Sequence, residues 1–230
     1  MSIIEQKNAT QIFKNLINNS SIHMTDEQTI RNILIKLRQT IAHFLKDKYE
    51  LEALADENQN KKIAVDKSCF THYNNKQVWI IGLINTQTKE FRLIPSYTRN
   101  TPKIKEIIQR HVKRGNTIIS DDWPGYWWLN EPNSGYMHIT HVHSHANFGY
   151  GDESTSHIEQ LWSVLKTLFR RIYVTVPSEN FNIFLREIEF RYLITNKNDN
   201  DKLKELLEIF DYVNSTVNFK LYDLDSLNLI

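Results

Sequence analysis

Cysteine is nearly missing from this chain: Cys69 is the only one in 230 residues. An internal disulfide is therefore excluded, as is any zinc site built on several thiolates, and a reducing compartment is expected. Glycine and proline are also scarce, at 6 and 5 residues, which sets aside collagen-like and low-complexity classes. No apolar run reaches the roughly 18 residues that suggest a membrane-spanning helix. The opening stretch MSIIEQKNATQIF has no long apolar core, so neither a signal peptide nor a secreted product is expected. Charge of one sign is lacking too. The formal net charge of +1 gives no global mark of a polyanionic partner. What is abundant is core-building material: 40% of the residues are hydrophobic, with 5 Trp, 10 Tyr and 11 Phe, as in an ordinary globular protein with a sizeable core.

The charge is nevertheless uneven. Residues 99–118, RNTPKIKEIIQRHVKRGNTI, carry six Lys/Arg against one Glu, a pattern that serves either a solvated helix face or a polyanion contact.

Hydrophobic periodicity divides the chain. Residues 1–24 are polar and Asn-rich, with a weak helical pattern at 12–17. Thr25 and Gln28 have capping-box spacing before an amphipathic helix at about 26–47, whose stripe is Ile30, Ile33, Leu34, Leu37, Ile41, Phe44 and Leu45. The polar loop 55–62 reads as a boundary. Strands are predicted at 61–70, 77–85 and 91–97, the last two joined by the hairpin turn NTQTKE. A helix is predicted over 101–116, with a Thr N-cap, Pro at its first position and Gly at its end. Strand 117–120 then runs into Asp121-Asp122, followed by a short aromatic helix at 126–129 and a strand within 136–144. Helices are predicted at 156–172, 178–196 and 201–212.

Three strands joined in sequence, then a strand reached through a helix, form a mixed sheet covered by helices. This is an α/β fold of the ribonuclease H-like arrangement, in which the fourth strand lies beside the first. The domains expected are a helical N-terminal segment (1–55), a catalytic domain (60–196) and a C-terminal helical tail (197–230). A reduced helix-turn-helix is one reading of residues 6–47, although nothing there marks a recognition helix.

That arrangement singles out three carboxylates. Asp66 interrupts an apolar strand, where an ionised group is costly unless paired, hydrogen-bonded or metal-bound. Asp121 ends another apolar strand, and Glu159 lies near the start of helix 156–172. Each alone reads as a cap or a surface acid. Together they are oxygen ligands suited to Mg²⁺ or Mn²⁺, and two such ions can serve an in-line phosphoryl displacement. On the helix, Ile158, Leu161, Leu165, Leu168, Phe169 and Ile172 share one face, while Glu159, Ser163, Lys166 and Arg170 share the opposite one.

The segments VDKS (65–68), VWIIGLINTQTKEF (78–91), HVKRGNTIISDDWPGYWWL (111–129), HVHSH (141–145) and SHIEQLWSVLK (156–166) resemble the catalytic domain of DDE transposases. The likeness is to the Merlin superfamily and the related bacterial insertion-sequence transposases of the ISXO type, and it covers about 60–196. It implies a catalytic, metal-holding triad of Asp66, Asp121 and Glu159 with two Mg²⁺ or Mn²⁺ ions. Asp121 is preferred over Asp122, and its spacing of 38 residues to Glu159 suits this type. Lys166 matches the family lysine seven residues after the carboxylate, about 10.5 Å along the same helix face, where it would meet a DNA phosphate. Lys113, Arg114 and Arg170 are further candidate DNA contacts. Trp123, Tyr126, His143 and Trp162 are candidate supporting residues. Core packing competes as the role of the aromatic ones, and a structural role competes for His143 and for His145.

Two departures stand out. Lys67 occupies a place where the family usually has an acid. No cysteine precedes Cys69, so the zinc ribbon that family members often carry is not encoded there. The resemblance implies metal-dependent cleavage at the ends of a mobile element and strand transfer to target DNA. The partners implied are double-stranded DNA, as terminal inverted repeats and target, and a second copy of the chain, with no membrane. The compartment would be the nucleus in a eukaryote, or the cytoplasm and nucleoid in a bacterium. Two alternatives remain open: a catalytically inactive transposase-derived DNA-binding protein, and a stand-alone ribonuclease H-like nuclease.

Overall fold

A computed structural model describes residues 27–73, 76–141, 154–172, 181–195 and 197–215. The expected weak helix at 12–17 and the loop carrying His143 and His145 lie outside them. In chain order the elements are α1 (Glu27–Leu51), β1 (Lys62–Tyr73), β2 (Lys76–Asn85), β3 (Phe91–Ser96), α2 (Thr101–His111) and β4 (Thr117–Asp121). They are followed by a 3₁₀ helix (Pro124–Asn130), β5 (Met137–His141), α3 (Ser156–Ile172), α4 (Phe181–Thr195) and α5 (Asp199–Ser215). None of the described helices is long and apolar enough to cross a membrane.

The chain forms two compact units, one spanning Lys48–Lys166 and one including 27–47 and the described residues from Thr167 onward. The first holds a five-stranded sheet in the order β3-β2-β1-β4-β5. β1 and β2, and β2 and β3, pair antiparallel, while β4 is parallel to both β1 and β5. This is the mixed ribonuclease H-like sheet expected from the element order, with the fourth strand beside the first.

Side chains alternate across a strand, and the core follows that alternation. Ile63 and Val65 of β1, Ile81 and Leu83 of β2 and Ile118 of β4 face one way. They pack with Ile104, Ile107 and Ile108 of α2 and with Tyr126, Trp128 and Leu129 of the 3₁₀ helix. Residues 64, 66 and 68 face the opposite way. In α3 the buried stripe is the expected one, through Ile158, Leu161 and Leu165.

Helix α2 is shorter than its sequence suggests. Asn100, not Thr101, caps it, its side chain accepting from the Lys103 N–H, and the helix stops at Val112 rather than running to Gly115. Val112 turns extended because it bridges to Ala55. Gly115 then serves a tight turn: its φ is +81°, and a Cβ there would lie 2.3 Å from the Asn58 side-chain oxygen. The loop before β1 is held by Asn116, whose side chain donates to the Asp56 carbonyl at 2.7 Å and accepts from the Lys61 N–H at 2.8 Å.

In the second unit, Ile30, Leu34, Ile41 and Leu45 of α1 are buried as expected, but Ile33 is 52% exposed. Helix α4 carries a buried ion cluster. Glu187 is paired with Arg191 at 2.6 Å and with Arg38 of α1 at 2.5 Å, and the Glu187 and Arg191 side chains are 0% and 1% exposed.

Candidate active site

In the parallel pair of β1 and β4, Lys62 is opposite Thr117, Ile63 opposite Ile118 and Ala64 opposite Ile119. Carried two residues further, that register sets Asp66 level with Asp121. Neighbouring strands are about 4.8 Å apart, so the two carboxylates fall side by side, Asp121 at the end of β4 and Asp66 within β1.

The electrostatics agree with that placement. Burial pushes the Asp66 carboxyl above its ordinary value and the charge of Asp121 adds to it, while the Lys67 backbone N–H, the Trp162 indole and the Lys67 ammonium oppose it. The Tyr126 phenol is pushed well up, chiefly by burial and then by the charges of Asp66 and Asp121. Its hydroxyl is buried without a hydrogen-bond partner.

Each carboxylate is held by the protein. Trp162 Nε1 of α3 donates to Asp66 Oδ2 at 2.9 Å. Lys67 Nζ donates to Asp121 Oδ2 at 2.9 Å, and the Trp123 N–H donates to Asp121 Oδ1 at 3.3 Å. The carbonyl of Asp121 accepts from the Ser120 hydroxyl at 2.9 Å. Ser120 also pairs with His138 at 2.8 Å, and His138 in turn meets Asn130 at 2.8 Å. Burial lowers the His138 imidazole below its ordinary value, and the charge of Asp122 opposes this.

Gly82 makes room for the indole. It is the register partner of Asp66 on β2, and a Cβ there would lie 2.6 Å from Trp162 Cη2 and 2.9 Å from Ile158 Cδ1. Gly82→Ala is therefore expected to displace the indole and destabilise the fold by about 1–3 kcal/mol. The urea midpoint should fall and the Trp162 indole N–H resonance should move upfield as its bond to Asp66 is lost. An unchanged midpoint and resonance would show that the close approach is unimportant.

Glu159 lies in the first turn of α3, one turn before Trp162. It is exposed, and its Oε1 accepts from the Thr155 hydroxyl at 3.2 Å. Thr155 thus meets the Glu159 carboxylate at this helix start. Among the described residues no three His, Cys, Asp or Glu side chains are grouped closely enough to hold a metal ion. The fold brings Asp66 and Asp121 together, with Glu159 bonded to Thr155. As a donor set, two partly buried carboxylates of like charge beside an unpartnered phenol fit a hard divalent cation and its waters.

The remaining candidates are placed as follows. Trp123 packs edge-on to Tyr126 with ring centres 5.6 Å apart. Lys166 Nζ lies 5.8 Å from the centre of the Phe70 ring. Lys113, Arg114 and Arg170 are exposed. Part of the basic 99–118 stretch is engaged within the fold. Arg99 lies 4.1 Å from the Trp79 ring centre and 5.6 Å from that of Trp123, Lys105 lies 5.0 Å from that of Trp128, and Lys103 pairs with Glu106.

Sequence reasoning missed Gly82, Arg99 and the Ser120–His138 brace. The first had a signal, since an isolated glycine inside a strand pattern marks close backbone approach.

Residues 48–192 match the ISXO2-like transposase domain family. No curated protein matches the sequence. Among solved structures the chain is similar to a chain of the simian T-cell lymphotropic virus intasome in complex with PP2A regulatory subunit B56 gamma. The identity is 15% and the TM-score 0.45, over 64% of this chain and 53% of that one, so the chain spans about half of that relative's length. It is also similar to the HTLV-2 integrase catalytic core domain in complex with magnesium (12% identity, TM-score 0.40, 60% of this chain and 88% of that one). The BIV integrase catalytic core domain is another such structure (16% identity, TM-score 0.38, 60% and 86%).

Proposed function

Because the chain belongs to the ISXO2-like transposase domain family, we propose that it is a DDE-type transposase that cuts and joins DNA strands at the ends of a mobile element. The observation that supports this reading is the parallel pairing of β1 with β4, which reaches Ala64 opposite Ile119, two residues before Asp66 and Asp121. Asp66, Asp121 and Glu159 would hold Mg²⁺ or Mn²⁺. When bound, such ions supply Lewis-acid polarisation of the scissile phosphate and favour the deprotonated nucleophile.

The chain's own residues do the positioning. Trp162 would hold the Asp66 carboxylate, and Lys67 with the Trp123 N–H that of Asp121, so both carboxylates are set before substrate arrives. Lys166, Arg170, Lys113 and Arg114 are the proposed phosphate contacts. Lysine there acts as a point charge on the DNA backbone, without sequence readout.

The chemistry balances as two transfers at phosphorus. In cleavage, water oxygen bonds to phosphorus, the bond from phosphorus to the 3′ oxygen breaks, and the leaving oxygen takes up a proton. In joining, the freed 3′-OH bonds to a target phosphorus, loses its proton, and expels the target's own 3′ oxygen. Binding two element ends would call for a second copy of the chain.

The test uses a pre-cut labelled donor duplex ending in 3′-OH or in 3′-H, incubated with Mg²⁺ and a target duplex. Joining of the first donor and none of the second is expected. Cutting of intact duplex with joining of neither donor would favour a stand-alone nuclease.

A further inference from the structure

Resting on the metal-site reading above, we propose that Lys67 is the internal counter-cation of Asp121 and sets metal affinity by competing with the divalent ion for that carboxylate. Lys67 stands one residue after Asp66 on β1 and so starts from the opposite face of the sheet. Its amine is nonetheless 2.9 Å from Asp121 Oδ2, with the two side chains 8% and 24% exposed. A pair so withdrawn from water is not the weakly coupled surface kind. It neutralises one of two carboxylates that would otherwise repel each other.

The aromatic residues after Asp121 complete the device. Lys67 Nζ lies 4.7 Å from the centre of the Trp123 ring and 5.3 Å from that of Tyr126. Ring faces attract an ammonium, most strongly when it is desolvated. The cation therefore keeps a favourable seat when Asp121 turns to a metal ion: it is displaced by a short distance and not expelled. Before metal arrives, Asp121 is held by the lysine in a fixed position. Metal entry must break that pair, so the lysine lowers affinity while keeping the carboxylate ordered.

Mn²⁺ binding to the full-length chain, followed by the electron paramagnetic resonance of the free ion, tests this without any need for activity. Lys67→Gln should bind Mn²⁺ roughly tenfold more tightly than wild type, equivalent to about 1.4 kcal/mol. Lys67→Met is the second neutral form should Gln fail to fold, and Lys67→Arg, which keeps the charge, should bind as wild type does. Neutral variants that bind no more tightly than wild type, while Asp66→Asn loses the ion, would overturn the role of Lys67 and leave the metal site standing. No Mn²⁺ binding by wild type or by any Lys67 variant would overturn the site and the proposal together.

Discussion

On the proposed function, Asp66→Asn is expected to abolish cleavage and joining together, and to raise the stability of the metal-free chain. Both effects have one cause. The Asp66 carboxylate is partly buried, burial pushes its carboxyl up, and Asp121 adds like charge. Asparagine removes that charge but keeps an oxygen to accept from the Trp162 indole, which the native aspartate does at 2.9 Å. Relief of a poorly solvated charge is expected to stabilise by about 1 kcal/mol, or roughly 2–4 °C in melting temperature for a chain of this size. Loss of a proposed metal ligand is expected to cost at least the roughly 10²–10³-fold seen when a single preorganised group is removed at a charge-developing site. Thermal melts without metal and gel assays with Mg²⁺ measure the two effects. A variant that is less stable and still cuts would mean that Asp66 is a structural hydrogen-bond acceptor only.

Glu187→Ala has the largest expected effect on stability. Glu187 is 0% exposed and accepts from Arg191, itself 1% exposed, and from Arg38. Removing the carboxylate leaves a buried guanidinium without that partner, a change that costs about 3–5 kcal/mol. The double replacement Glu187→Leu with Arg191→Met removes both charges and should restore much of the loss, because replacing a buried pair by apolar groups is often neutral or better. Guanidinium unfolding of wild type, the single variant and the double variant gives the comparison. A single variant within about 1 kcal/mol of wild type, the range of a surface pair, would show that water reaches the cluster.

What the sequence disclosed and what it hid differ in physical kind. The strands around Ile63–Val65 and Ile80–Leu83 were legible because β-branched residues concentrate there. The order of elements then placed the fourth strand beside the first, and with it Asp121 beside Asp66. The Trp162 bond to Asp66 joins residues 96 positions apart, and no local pattern encodes such a pairing. Lys67 was visible as a departure from the family, but its reach to Asp121 depends on the β1–β4 register. The end of α2 was misjudged because Gly115 looks like a C-cap, whereas the bridge from Val112 to Ala55 draws the chain out earlier. At α3, Ser156 and Glu159 have capping-box spacing, but Thr155 takes the Glu159 carboxylate.

Glu159 is therefore the residue on which the central claim turns, since among the described residues it is not grouped with Asp66 and Asp121. The most direct measurement is cleavage and joining of a labelled duplex bearing the element's own ends, with Mg²⁺ or Mn²⁺, by wild type and by Glu159→Gln. Metal-dependent cleavage and joining by wild type, both lost in Glu159→Gln while DNA binding is retained, is the result expected of a three-carboxylate transposase. DNA binding with neither activity, unchanged by the substitution, would contradict it and leave a DNA-binding protein derived from a transposase.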